Sequence, residues 1–298
     1  MPEKQKVVVI GAGQMGLGIA HAFALAGPEV VMVDVSQPVL DKAVAAIEAI
    51  IQGGVKLGKV PADKAAAAIA ALATSTSAAE AAKGATLVIE TATEKLDVKL
   101  KIMREIDAVV GTDTVLATNT SALSITEIAA ASAHPERVVG MHFFNPVHKM
   151  KLVEIIRGLQ TSEATVERLK EWSTAIGKTF IVVNEAPGFT TSRMSAMLGN
   201  EAMWMLSEGV ATAEDIDTAL RLAFNHPMGP LELGDLTGWD TRYAVLQHLH
   251  QTLGEKFRPC PLIGKMVKAG RYGRKVGHGV YKYENGEKVP GSGLRAHL

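Results

Sequence analysis

The chain has 298 residues, long enough to bury a sizeable core and close to the length at which chains divide into two domains. Its 31 basic and 31 acidic residues cancel, so no summed field would draw in nucleic acid or an anionic membrane surface. A single cysteine, Cys260, excludes an intrachain disulfide, the chain opens on a strand pattern rather than a signal-like segment, and no apolar run approaches the roughly 20 residues that span a bilayer. The expectation is a soluble cytoplasmic protein of a reducing compartment, with neither nucleic acid nor membrane as partner.

Residues 6–10, Lys-Val-Val-Val-Ile, make a short β-branched run that stops at a glycine cluster, and the cluster opens into an apolar segment at 17–25: strand, tight turn, helix. Residues 30–33 read as a second strand closing on Asp34, and Pro38 suits the first turn of a helix running to about Gln52. Residues 53–61 interrupt the pattern and carry Lys56 and Lys59. An alanine-rich helix follows at about 62–73, so the two helices read as a hairpin inserted into a sheet domain. Strand patterns recur at 86–89, 115–117, 138–142, 152–156 and 179–183, most of them separated by helical pattern. That alternation belongs to a buried, mostly parallel sheet with helices on both faces.

After Asn184-Glu185-Ala186-Pro187-Gly188 the strand signals stop, and amphipathic helices take over at about 191–207, 212–223 and 239–253. The expected fold class is α/β: a Rossmann-type domain over 1–186 with an inserted helical hairpin, then an all-α domain over 187–298. A glycine-rich stretch at 270–279 leads into Val280-Tyr281-Lys282-Tyr283, and the last dozen residues are expected to fray.

The loop Gly11-Ala12-Gly13-Gln14-Met15-Gly16 follows a strand directly, opens a helix, and has Asp34 18 positions after Gly16 at the end of the next strand. Glycines so placed permit the tight turn and the close approach of a pyrophosphate to the helix N-terminus, where N–H groups and the dipole favour an anion. The bland alternative is a structural glycine turn, and the fingerprint alone also fits FAD. Asp34 can accept hydrogen bonds from ribose hydroxyls. A 2′-phosphate would face like-charge repulsion, with no arginine among Val35, Ser36 and Gln37 to offset it, so NAD is favoured over NADP.

Hydride transfer to NAD needs a base for the alcohol proton. Among nine histidines, His142 stands at the carboxyl end of an expected strand, where open α/β sheets bind ligands. An imidazole exchanges protons near neutral pH. Glu154 interrupts the apolar run Lys-Leu-Val-Glu-Ile-Ile, and a buried carboxylate needs a partner. His142 is the obvious one: Glu154 would fix its tautomer and balance the imidazolium. On this pattern alone a structural histidine stays open. Cys260, between Pro259 and Pro261, reads as a packing residue, and Met194, Met197, Met203 and Met205 read as core or subunit-contact residues. His248 and His250 stand apart from cysteines and carboxylates, and no metal site is expected.

Gly140-Met141-His142-Phe143-Phe144-Asn145-Pro146, followed by Met150-Lys151-Leu152-Val153-Glu154, resembles the signature of the 3-hydroxyacyl-CoA dehydrogenase family, particularly its short-chain 3-hydroxybutyryl-CoA dehydrogenases. Similar segments run through nearly the whole chain in order: the glycine loop, Ala117-Thr118-Asn119-Thr120-Ser121, Glu185 to Phe189, His226 to Leu233, and 262–283 with Gly273-Arg274-Lys275. The resemblance implies NAD-dependent, reversible oxidation of an L-3-hydroxyacyl-CoA to the 3-ketoacyl-CoA. His142 would be the general acid/base and Glu154 its orienting carboxylate, with Ser121 bonded to the substrate oxygen beside the nicotinamide. Glu94, Lys99, Asn119, Asn145 and Lys275 match positions that contact NAD. The substrate would lie in a cleft between the domains, and a homodimer would form through the helical domain. From the residues themselves, Glu94 and Lys99 also read as part of a solvated helix face, and Lys275 as an ordinary turn residue.

Two departures stand out. Relatives often read Gly-Phe-Val-Val-Asn-Arg where this chain reads Gly188-Phe189-Thr190-Thr191-Ser192-Arg193, so Ser192 replaces an active-site asparagine with a shorter group that lacks the amide's second donor. In the hairpin, Leu57 stands within Val55-Lys56-Leu57-Gly58-Lys59 where a lysine resembling a CoA-phosphate contact is common, leaving Lys56 or Lys59 to serve. The competing readings are a 3-hydroxyadipyl-CoA dehydrogenase, a dehydrogenase of non-thioester hydroxy acids, and a non-enzymatic NAD-binding relative, whose mark would be loss of the His/Glu pair. Arg193 does not choose between a methyl and a carboxylate at the far end of the acyl group.

Overall fold

In the computed structural model, which describes residues 5–295, the chain divides after Ala186 into two units. The first runs β1 (Lys6–Ile10), α1 (Gln14–Ala26), β2 (Glu29–Val33), α2 (Gln37–Lys56), α3 (Ala62–Ala70), β3 (Leu72–Ser75), α4 (Ala78–Ala82) and β4 (Leu87–Glu90). It continues through α5 (Leu96–Asp107), β5 (Val115–Thr118), α6 (Ile125–Ala129), β6 (Val138–Phe143), β7 (Leu152–Arg157), α7 (Glu163–Ala175) and β8 (Thr179–Asn184). The eight strands form one sheet in the order β3-β2-β1-β4-β5-β6-β7-β8, parallel except where β7 meets β6. The α/β class read from the sequence is the class observed.

Strand periodicity explains the layering. Val7 and Val9 of β1 point into one core with Ile19, Phe23, Leu40 and Ile47, while Val8 and Ile10 point into another with Ile106 and Leu116. A strand that buries both faces must be apolar throughout, which is why β1 shows no polar alternation. The strand order reverses at β1 and β4, and the crevice outside the carboxyl ends of such a pair is where open sheets take ligands.

Several expectations change. Helix α2 continues past Gln52 to Lys56, because its buried stripe of Leu40, Ala43, Ile47 and Ile51 extends to Val55, which packs on the same core. That packing outweighs the roughly 1 kcal/mol each of Gly53 and Gly54 costs a helix. Helix α3 stops at Ala70, and Leu72–Ser75 forms an unexpected edge strand parallel to β2. Its Leu-Ala-Thr-Ser sequence has neither β-branched run nor alternation to announce it. Strand β7 is antiparallel to β6 because residues 144–151 are too few for the crossover of a dozen or more residues that a parallel return requires.

The second unit contains α8 (Thr191–Ser207), α9 (Ala213–Ala223), α10 (Pro230–Thr237), α11 (Trp239–Leu253) and α12 (Pro261–Lys268). Helices α10 and α12 were not expected. Each is eight residues long and opens on a proline, which alone reads as a turn but is also at home in a first helical turn. The core gathers Met203, Leu206, Trp239, Leu249, Phe257 and Tyr281. Met205 packs partly against it, whereas Met194 and Met197 are exposed. Buried Asp235 accepts hydrogen bonds from the backbone N–H groups of Val280 (2.7 Å) and Tyr281 (2.8 Å) and from Trp239 Nε1 (2.7 Å). The end of the chain is therefore not frayed over 287–294: Leu294 N–H donates to Val280 O (2.9 Å) and Gly293 N–H to Glu214 Oε1 (2.8 Å). Residues 296–298 of that expected frayed stretch lie outside the described residues. Cys260 is buried and burial pushes its thiol up. His250 is not isolated from carboxylates, since Nε2 meets Glu255 Oε1 at 3.0 Å. No helix among the described residues is long and apolar enough to cross a membrane.

The start of β6 is anchored by Asp107 at the end of α5, which accepts from Ala133 N–H (2.8 Å), Arg137 (2.6 Å) and the Ser132 hydroxyl. Burial pushes this carboxyl up, but those hydrogen bonds and the Arg137 charge hold it below the ordinary 3.8. A depressed acid contributes stability above the unfolded value and loses it as pH falls through the folded one. Asp107→Asn should therefore cost about 2 kcal/mol at neutral pH. Urea titrations of both proteins should show that difference shrinking as pH falls below 3.8.

Candidate active site

Gly11 carries the turn out of β1 with φ at +104°, and its N–H donates to Val33 O at 2.7 Å. A Cβ on Gly16 would collide with the Gly11 carbonyl oxygen, so the helix can approach the strand this closely only through glycine. Thr91, just past β4, braces the turn by donating through Oγ1 toward Ile10 O (3.0 Å) and Gly11 O (3.1 Å). Gly13 sits at the N-cap of α1, so no side chain covers the first helical N–H groups. Gln14 is exposed and Met15 packs against the core.

Beside this loop a cavity of about 850 Å³ is lined by Gly11, Gly13, Asp34, Ser77, Thr93 and Lys101, among others. Asp34 is held at its rim by Ala12 N–H on Oδ2 (3.0 Å) and Ser36 N–H on Oδ1 (3.2 Å). Each oxygen keeps acceptor capacity, as two ribose hydroxyls would require. An uncapped helix start, a cradle that side chains would fill, and a carboxylate at the cavity rim fit NAD.

His142 is the fifth residue of β6, and the antiparallel register places it directly opposite Glu154. The reversal of β7 brings the start of that strand to the edge where β6 ends. His142 Nδ1 and Glu154 Oε2 lie 2.7 Å apart, with the Glu154 side chain fully buried and the histidine side chain 9 % exposed. With the Nδ1 proton donated to the carboxylate, the lone pair of the neutral ring is on Nε2. Asn119 secures this strand end by another route. Strand β5 ends at Thr118, and Asn119 Oδ1 accepts from Phe143 N–H at 2.8 Å, so a side chain continues the ladder one step beside His142.

Ser121 and Glu94 meet. Glu94 Oε1 accepts from Ser121 N–H (2.9 Å), Ser121 Oγ (3.1 Å) and Thr120 Oγ1 (2.6 Å). Burial pushes the Glu94 carboxyl up, but the Thr120 hydroxyl, the Lys99 charge and the Ser121 donors hold it below the ordinary 4.5. Lys99 does not belong to a solvated helix face: it is 1 % exposed and bonds Glu90 Oε2 at 2.8 Å and Oε1 at 3.0 Å. Its ammonium also stands 3.5 Å from Glu94 Oε2, so it lies between two carboxylates.

The remaining expected residues lie elsewhere. Asn145 is exposed after β6, next to a cis peptide to Pro146, and Lys56 is exposed at the hairpin tip with Leu57 and Lys59. In the second unit, Ser192 is half-buried in the first turn of α8, and Lys275 Nζ pairs with Asp240 Oδ2 at 2.7 Å. Glu90, Thr91 and Thr120 escaped the sequence reading. Glu90 carried a usable signal, an acidic residue closing an apolar strand, which is the pattern that drew attention to Glu154.

Residues 6–186 match the family model described as 3-hydroxyacyl-CoA dehydrogenase, NAD binding domain, and residues 188–283 match the corresponding C-terminal domain. A 3-hydroxybutyryl-CoA dehydrogenase of Bradyrhizobium diazoefficiens is 45 % identical over 96 % of this chain and 98 % of its own length. A 3-hydroxyadipyl-CoA dehydrogenase of Escherichia coli is 41 % identical over 94 % of this chain and 59 % of its own. The crystal structure of the (S)-3-hydroxybutyryl-CoA dehydrogenase of Ralstonia eutropha superposes with a TM-score of 0.92 at 44 % identity, covering 95 % of this chain and all of that one.

Asp34→Ser tests the crevice. Losing charge-assisted hydrogen bonds to the ribose should weaken NADH binding about tenfold, read by cofactor fluorescence, with the melting temperature of the cofactor-free protein almost unchanged. Unchanged affinity would remove Asp34 from the cofactor site.

Proposed function

The chain belongs to the 3-hydroxyacyl-CoA dehydrogenase family, and from that premise we propose that it catalyses the reversible, NAD-dependent oxidation of short-chain L-3-hydroxyacyl-CoA, of the 3-hydroxybutyryl type, to the 3-ketoacyl-CoA. The observation that carries this reading is the buried His142–Glu154 hydrogen bond at the carboxyl edge of a sheet whose switch point carries the glycine loop and Asp34. When bound, NAD supplies the hydride acceptor for C3. Gly11, Gly13, Gly16 and Asp34 would hold it, with Gln14, Met15, Asn119 and Asn145 as further candidate contacts.

His142 Nε2 accepts the C3 hydroxyl proton, and the ring gains a positive charge inside a largely dry site. Glu154 balances that charge and keeps the proton on Nδ1, so the lone pair faces one way only. In the reverse direction the imidazolium returns the proton to the forming alkoxide. Ser121 and Ser192 are the hydroxyls that the family pattern assigns to the substrate oxygen. Lys56 and Lys59 are suited to the CoA phosphates by charge and exposure, and Lys275, paired with Asp240 at 2.7 Å, keeps the cofactor contact that the family pattern gives its position. The name of the Escherichia coli relative keeps a dicarboxylyl substrate as the second reading.

A homodimer through the helical unit is supported by apolar side chains left in water there, Leu222 at 76 %, Phe224 at 69 % and Met194 at 56 % exposure. We place the enzyme in the cytoplasm. Phe224→Asp should halve the mass measured by light scattering, and an unchanged mass would move the interface elsewhere.

Initial rates with 3-hydroxybutyryl-CoA, a longer homologue, 3-hydroxyadipyl-CoA and free 3-hydroxybutyrate decide the substrate. The four-carbon thioester should give the highest kcat/KM and the free acid almost none. His142→Gln should retain NADH binding and lose kcat by about a thousandfold. Equal rates with the free acid would sink the thioester assignment, and retained turnover in the variant would sink the base.

A further inference from the structure

The segment 144–151, which joins β6 to β7, is held at more points than a surface turn needs. Pro146 O accepts from Lys149 N–H (3.0 Å) and Met150 N–H (3.1 Å), which closes a single turn. Buried Val147 packs against Gly18 of α1, where an added Cβ would come within 2.8 Å of the valine side chain. His148 sets its ring edge-on to His21 of the same helix, with centroids 6.3 Å apart. Lys178, the residue before β8, completes the clasp: its Nζ donates to Val147 O (2.5 Å) and Met150 O (2.6 Å).

Neither carbonyl receives another hydrogen bond among the described residues, and unpaired carbonyls beside a core are costly. An ammonium suits the place because three donors on one atom can serve two diverging carbonyls. Among the described residues no carboxylate pairs with it, and burial pushes it below the ordinary 10.5. Burial first, then the charges of His148 and Lys178, push His21 down to about 4. A cation held in such surroundings without a counter-ion is a cost that two carbonyls offset only in part, so the clasp calls for a reason beyond stability.

That reason lies at the start of the segment. Phe144 sets its ring 4.7 Å from the His142 ring, tilted by 56°. The hydrogen bond between Nδ1 and Glu154 pins one atom of the imidazole, and a ring pinned at one atom can still swing about it and carry Nε2 out of line. An aromatic ring packed against it removes that swing. We propose that Lys178 and Phe144 are positioning residues for proton transfer: Lys178 holds the turn after Pro146, the turn holds Phe144, and Phe144 holds the aim of His142 Nε2. This rests on the reading of His142 as the base. The tautomer itself stays with Glu154.

The test uses Lys178→Met, which keeps most of the side chain's length and removes its donors, then Phe144→Leu, and then the two together. Each single variant should lose kcat about tenfold, with KM for the hydroxyacyl-CoA and for NAD within about twofold. The double variant should lose no more than about tenfold, because both changes release one ring, whereas separate faults would multiply toward about a hundredfold. Lys178→Cys treated with 2-bromoethylamine regains an ammonium at the same reach and should regain most of the wild-type kcat, with wild-type protein treated alike as the control for buried Cys260. Untreated Lys178→Cys gives the same comparison should Lys178→Met fail to fold. In the cofactor-free protein, the His142 ring protons lie in the ring current of Phe144. Their 1H shifts in Lys178→Met should move toward those of Phe144→Leu, while 15N shifts keep the Nδ1-protonated form. Wild-type kcat in Lys178→Met, multiplying losses in the double variant, or no recovery on aminoethylation would overturn the proposal. So would loss of the Nδ1 preference in Lys178→Met, which would put the lysine's effect in the pairing of β6 with β7. If the wild-type protein oxidises no hydroxyacyl-CoA, the reading of the base fails, and the ring-proton shifts still decide whether Lys178 acts on His142 through Phe144.

Discussion

Glu154 is a carboxylate with no exposed surface, and the carboxyl end of β6 is arranged around the need to partner it. A lone carboxylate in a core costs several kcal/mol, so the strand beside it must offer a donor. His142 is that donor because the short return after β6 forces β7 to run antiparallel, which sets residue 154 against residue 142. Had β7 returned parallel, its early residues would lie at the opposite edge of the sheet, away from the glycine loop. A loop too short for a crossover thus decides which residue the base faces.

Two other carboxylates at strand ends obey the same rule with different partners. Asp34 at the end of β2 is held by backbone N–H groups and keeps lone pairs for a ligand, as a group at a cavity rim can. Glu90 at the end of β4 is saturated by Lys99, Thr118 and Ala92, as a group with no exposure must be. The carboxyl edge of one sheet therefore carries three anions in three environments. One lines the cavity beside the glycine loop, one is bonded to the His142 ring and one ties β4 to β5 and α5. Exposure and partner determine the role of each more than residue type does.

Much of this was legible in the sequence for physical reasons. Strands buried on both faces are continuous apolar runs, so β1, β4, β5 and β6 announce themselves, and Gly11 to Gly16 with Asp34 have a spacing tied to a strand, a turn and a helix. Edge strand β3 did not, because half-exposed Leu-Ala-Thr-Ser has no pattern to detect. Short helices α10 and α12 hid behind their prolines. Lys99 misled for a related reason: a lysine in a charged segment looks solvated, and only the tertiary contact with Glu90 shows that it is buried. The acidic end of β4 was the clue, since a strand that closes on glutamate inside a core must have a cation or several donors close by. Among contacts between segments, the pairing of His142 with Glu154 was legible, because a carboxylate interrupting an apolar strand demands a partner, whereas that of Lys99 with Glu90 was not.

The central claim is that Glu154 fixes the tautomer of His142 so that Nε2 is the proton acceptor. 15N NMR of ring-labelled histidine in the cofactor-free protein at alkaline pH, with the His142 signals assigned through Glu154→Gln, measures this directly. A protonated Nδ1 and an unprotonated Nε2, with that preference weakened in the variant, is the predicted result. A ring carrying its proton on Nε2, or a tautomer indifferent to residue 154, would contradict it.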